Sequence, residues 1–229
     1  MNKIIWKDIE STEIKGLMIC ELPPITKPKM RVQETTIDGV DGSIIEELGY
    51  ESYDKTITIG LTKGFDIDEV IEYFTGVGDV VFSNEPERYY KARIIDQIDY
   101  ERLLRFRTAT VKFRVQPFKY ELDESSITLT ESGKSVSNNG LKESKPIMTI
   151  TGTGTIELSI NNLLVFRYTF PEEENEVVID SEKQDAYLGS ILKNRNMTGE
   201  FPILKSGSNV ISWSGEITRI VVEPKSRWI

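Results

Sequence analysis

The chain has no histidine and a single cysteine among 229 residues. Without imidazole there is no Ser-His-Asp or Cys-His nucleophilic site and no histidine metal centre. Without a second thiol there is no intrachain disulfide and no cysteine-rich zinc site. No apolar stretch reaches the ~18 residues that a membrane-spanning helix needs. The opening Met1–Glu10 lacks the apolar core of a signal peptide, so no membrane role is expected. Positive charge is also short, with 28 Lys and Arg against 37 Asp and Glu and a net charge of −9. A negative surface repels phosphate, so nucleic-acid binding is not expected there. Cys20 lies in the apolar run Leu17–Cys20, away from any basic setting that would activate its sulfur. It reads as a small packed hydrophobe.

What is present reads mainly as β-structure. With 38% hydrophobic and 28% charged residues, the composition is that of a folded globular chain. Its length suits one large or two small domains. Lys29–Ile37 alternates and then meets the turn dipeptides Asp38-Gly39 and Asp41-Gly42. Ile57, Ile59 and Leu61 alternate within Lys55–Leu61. One segment has helical spacing: Ile67, Val70, Ile71 and Phe74 fall at i, i+3, i+4 and i+7, with Asp66 placed as N-cap. This predicts a helix over 66–75. Tyr89–Tyr100 and Leu103–Phe118 then read as the arms of a long hairpin over 89–118. A change of apolar parity between Phe106 and Ala109 reads as a bulge.

Glu121–Lys145 is polar and reads as a domain join, which divides the chain into 1–122 and 123–229. The second part again reads β, through Ile147–Ile150, Thr155–Ile160, Leu163–Phe170, Glu176–Ile179, Asn209–Trp213 and Glu216–Glu223. Asn161-Asn162 is placed as a hairpin turn. Closely spaced strands of this kind predict a β-sandwich.

Chemical candidates are few. Asp180, Glu182 and the run Glu172–Glu174 are the densest carboxylates, and they read as a turn and a solvated loop as well as a hydrolase pair. Gly152-Thr153-Gly154 has no following Lys-Ser/Thr and reads as a strand-to-strand turn rather than a phosphate cradle. No catalytic residue, metal ligand or cofactor site is expected. Among the aromatics, Trp213 alternates with Ile211 and reads as core, while Tyr187 is the candidate sugar contact.

The strongest signal is charge. Arg88–Lys119 holds nine basic and three acidic residues, a local +6, which leaves −15 for the remainder. Such a basic arm suits an acidic surface, and in a homo-oligomer that surface is the next copy. The candidate interface is Arg88, Lys91, Arg93, Arg102, Arg105, Phe106, Arg107, Lys112 and Arg114. The same charges also read as ordinary solvated faces of a hairpin, or as an arm that alone faces a nucleic acid.

Several segments carry a resemblance. Phe82–Arg93 resembles the helix-to-hairpin segment of distal tail (Dit) proteins of siphophages that infect Gram-positive bacteria, and Thr36–Gly42 is similar to that family's early Asp-Gly turn. The second half is similar through Asn138–Gly140, Ser144–Pro146, Gly152–Gly154, Val178–Glu182, Ala186-Tyr187, Met197–Pro202, Gly207–Trp213 and Pro224–Trp228. The resemblance implies a β-sandwich-like N-terminal domain with one helix and a long hairpin. It also implies a C-terminal galectin-like (jelly-roll) β-sandwich. Such proteins form a hexameric ring at the virion tail tip after synthesis in the host cytoplasm. The ring adjoins the tail-tube protein on one side and tail-associated and receptor-binding proteins on the other. The length leaves no room for the inserted carbohydrate-binding module of longer members. The alternative role is a carbohydrate-binding module that adsorbs to the host cell wall.

Overall fold

The computed structural model describes residues 1–229, which divide into two compact units, Met1–Leu122 together with Ile229, and Asp123–Trp228. In the first unit the elements are β1 (Ile4–Trp6), β2 (Ile9–Glu10), β3 (Leu17–Glu21), β4 (Met30–Thr35), β5 (Ile44–Tyr50), β6 (Tyr53–Leu61), α1 (Ile67–Tyr73), β7 (Val77–Phe82), β8 (Arg88–Arg93), α2 (Tyr100–Phe106) and β9 (Thr108–Glu121). Seven of its strands form one antiparallel sheet in the order β2-β1-β7-β8-β9-β6-β3. Period-two alternation sends Ile57 and Ile59 of β6 and Val111, Phe113 and Val115 of β9 into the same core. Phe113 is its centre, edge-on to Trp6 at 5.2 Å and to Phe82 at 5.8 Å.

Helix α1 forms where its apolar spacing predicts. Asp66 caps it by accepting the Asp68 N–H at 3.0 Å, and Val70, Tyr73 and Phe74 are buried.

The 89–118 expectation needs two corrections. First, β8 and β9 do pair antiparallel, but they are interior strands of the sheet rather than a projecting arm. Second, the distal part of that hairpin is helical, so the unit has two helices, not one. Asp99 caps α2 by accepting the Arg102 N–H at 2.8 Å, and Arg107 ends the helix in the left-handed region at φ 63°. Tyr100, Leu103 and Leu104 have helical spacing, and Leu103 is fully buried. The parity change after Phe106 is this helix terminus, not a bulge.

The second unit holds β10 (Ile127–Leu129), β11 (Lys134–Asn138), β12 (Ile147–Ile160), β13 (Leu163–Thr169), β14 (Glu176–Asp180), β15 (Asp185–Leu188), β16 (Ile191–Leu192), β17 (Met197–Gly199) and β18 (Gly207–Glu223). The order is β10-β18-β12-β14-β15-β16, with β11 on β18, β13 on β12 and β17 on β13. Two pairs of expected strands are each one long strand. β12 and β18 run side by side through register breaks at Thr151/Gly152 and Thr153/Glu157. Gly152-Thr153-Gly154 is therefore a bend inside β12, not a turn between strands. Glycine is required there: a Cβ on Gly152 would sit 2.4 Å from the Glu216 carbonyl oxygen. On one side of the bend β12 pairs with β14, on the other with β13. Met148, Ile150, Ile156, Leu158, Phe166 and Ile179 fill the resulting core. Asn161 and Asn162 form the tight turn into β13 at φ 52° and 65°.

Candidate functional site

Strands β4 and β5 belong to neither large sheet. They form a two-stranded ribbon of their own. Its tip is closed by the Val40 N–H bonding the Ile37 carbonyl at 3.1 Å, with Gly39 and Gly42 at φ 81° and 89°. Val32 and Ile45 share one face with Glu34 and Glu47, while Ile44 shares the other with Gln33, Thr35 and Glu46. Both faces are in solvent. Val40, Ile44 and Ile45 are 60–62% exposed, and Val32, Ile37 and Leu48 nearly half. A lone two-stranded ribbon is marginal in water. One that leaves branched aliphatics uncovered on both faces marks a contact surface. Met30–Tyr50 carries one arginine and five carboxylates, a net charge of −4.

The ribbon is held firmly at its root. Glu51 N–H bonds the Lys29 carbonyl at 2.8 Å, and Tyr50 packs edge-on against Phe118 of β9 at 5.7 Å. Just before the root, three side chains grip the segment Pro23–Thr26. Lys55 Nζ donates to the Pro24 carbonyl at 3.1 Å, Asn84 to that of Pro23 at 2.9 Å and Tyr53 Oη to that of Thr26 at 3.4 Å.

Lys55 is 1% exposed. Its ammonium lies 3.6 Å from Glu85 and 4.7 Å from the Tyr90 ring centroid. Glu85 also accepts from Lys119 Nζ and Tyr90 Oη, each at 2.6 Å. Burial pushes the Glu85 carboxyl up, but the bonds from Lys119 and Tyr90 and the two lysine charges outweigh it and hold it below the usual carboxylate value. Burial pulls the Lys55 ammonium down, with Glu85 opposing. Burial and the Glu85 charge push Tyr53 up to about 12.

Much of the basic segment is matched within its own chain. Arg88 lies 3.9 Å from Glu121, Lys112 2.6 Å from Asp96, Lys119 2.6 Å from Glu85, and Arg114 pairs with Asp54. Lys91 sits over the Tyr120 ring at 4.8 Å and Arg107 over Phe65 at 4.9 Å. Arg93 is exposed at the end of β8. The exposed group that remains together is on α2: Arg102 and Arg105 with Leu104 and Phe106, the latter 63% exposed. Asp99, Glu101, Arg102, Arg105 and Phe106 line a cleft of 440 Å³.

The other candidates resolve locally. Asp180 is buried and accepts the backbone N–H groups of Glu182 and Lys183 at 3.1 Å each, which makes it a turn-forming residue. Glu172 and Glu173 are exposed, while Glu174 pairs with Lys193. Trp213 packs against the second core. Tyr187 is half-buried on β15 with the Lys183 ammonium over its ring at 5.8 Å. No group of three or more Cys, Asp and Glu is arranged to hold a metal ion. No helix is long and apolar enough to cross a membrane.

Sequence reading missed the ribbon's second strand and the buried lysine. Both left signals. Ile44-Ile45 follows two Asp-Gly turns, and Lys55 is in phase with the inward Ile57, Ile59 and Leu61.

No family model matches the chain, and no curated protein does. Solved structures do. The crystal structure of the Dit protein of phage SPP1, described as a paradigm of the hub adsorption apparatus in phages infecting Gram-positive bacteria, matches at a TM-score of 0.74 and 16% identity. That match covers 97% of this chain and 98% of the other. A chain of the phage p2 baseplate in its activated, calcium-containing conformation matches at a TM-score of 0.50 and 9% identity, covering 97% of each chain. The chain thus has a Dit-like, mainly β fold across nearly its whole length.

Proposed function

We propose that this protein is the structural hub of a siphophage tail tip. Its N-terminal unit closes with five further copies into a ring, and the ring joins the tail tube to the tail-associated and receptor-binding proteins. The observation that carries the reading is the β4–β5 ribbon, whose two uncovered faces give the unit a reason to assemble. The Dit-like fold over 97% of the chain supports the setting in a phage adsorption apparatus. The second unit, a galectin-like sandwich in this reading, supplies a contact surface for partner proteins. The work is contact rather than catalysis, and the site of action is the virion.

Negative-stain electron microscopy of the purified protein at low salt tests this. Closed rings of six are expected. Particles that remain monomeric across the accessible concentration range, alone and with the tail-tube protein added, would overturn it.

A further inference from the structure

Resting on that ring reading, we propose that the β4–β5 ribbon of one copy lies across the α2 end of the next copy. The two surfaces match in both kinds of chemistry. The ribbon is apolar and carries a net −4, with Glu34, Glu46 and Glu47 beside Val32, Ile44 and Ile45. The helix Tyr100–Phe106 with its caps Asp99 and Arg107 is apolar and carries three arginines against one aspartate and one glutamate, a net +1. Leu104 and Phe106 stand exposed there beside Arg102 and Arg105, next to the 440 Å³ cleft. Burying aliphatics supplies the attraction, and opposite charge fixes the register.

The geometry sends the contact between copies rather than within one. The ribbon root is held at Phe118, near the end of β9, and α2 leads into its first residue, Thr108. Those ends are ten residues apart, ~34 Å along an extended strand. One unit therefore presents the donor surface at one end and the acceptor at the other, which is the arrangement of a heterologous, ring-closing contact.

The single cysteine makes a clean test. In a Cys20→Ser background, Ile45→Cys and Phe106→Cys are placed in one chain and oxidised mildly. A covalent ladder running past the dimer is expected, with at most traces of dimer from either cysteine alone. As a second measurement, Glu47→Lys weakens assembly, and adding Arg105→Glu to the same chain restores it. Rings without a ladder and without charge-swap rescue would overturn the docking while leaving the ring reading intact. Efficient dimers from Ile45→Cys alone would instead make the contact ribbon-to-ribbon and refute the proposal. Absence of assembly by the unsubstituted protein would remove the ring reading and the docking together.

Discussion

Glu85→Gln isolates the buried charge network that grips the ribbon root. The substitution keeps the shape and the acceptor oxygen but removes the only carboxylate facing Lys55 and Lys119. Breaking a buried ion pair by removing one partner costs about 3–5 kcal/mol. Lys119 retains a path to water at 15% exposure, whereas Lys55 at 1% has none. Shedding the Lys55 proton also limits the loss, so the lower end, about 3 kcal/mol, is expected. For a unit of this size, at about 4 °C per kcal/mol, its melting transition falls by roughly 12 °C. Calorimetry that separates the transitions of the two units measures this. Hydrogen exchange over Pro23–Thr26 reports whether the root has loosened. Replacing both members, Lys55→Met with Glu85→Gln, leaves no unpaired ammonium at the Tyr90 ring and recovers about 2 kcal/mol relative to additivity. Glu85→Gln costing less than about 1 kcal/mol, or a strictly additive double substitution, would refute the reasoning. The sign with pH follows. The folded Glu85 value lies below its ordinary 4.5, so its stabilisation is fully present above that value and drains as pH falls through the folded one. The Gln variant loses that acid dependence.

Two further outcomes concern the second unit. Gly152→Ala drives a Cβ into the Glu216 carbonyl at the bend shared by β12 and β18. It is expected to cost about 2 kcal/mol in the second transition alone, checked by chemical denaturation. Asp180→Ala removes the acceptor for two backbone N–H groups and costs about 1–2 kcal/mol, with ring formation unchanged in micrographs. Burial raises the Asp180 carboxyl, but Lys183 and these amides lower it further, below its ordinary 3.8. The difference between wild type and Asp180→Ala therefore persists at neutral pH, shrinks as pH falls below 3.8 and is gone once pH has passed through the folded value.

The sequence by itself determined the local elements. Asp66 and the spacing of Val70 and Phe74 specify α1, two consecutive asparagines specify the turn into β13, and alternation marks the inward residues of β6 and β9. Each of these signals acts over a few residues, through a cap, a turn dihedral or one face of a strand. The tertiary structure alone decided what those elements meet. The +6 of Arg88–Lys119 is present in the sequence, but its partners Asp54, Glu85 and Glu121 arrive from outside that segment, brought there by the pairing of β6, β8 and β9. The same pairing placed the expected arm inside a sheet and left Met30–Tyr50 as the element with no layer against it. Whether an alternating strand is core or contact surface depends on which chain segment covers its faces. That is a property of long-range packing, and period-two alternation looks the same in either case.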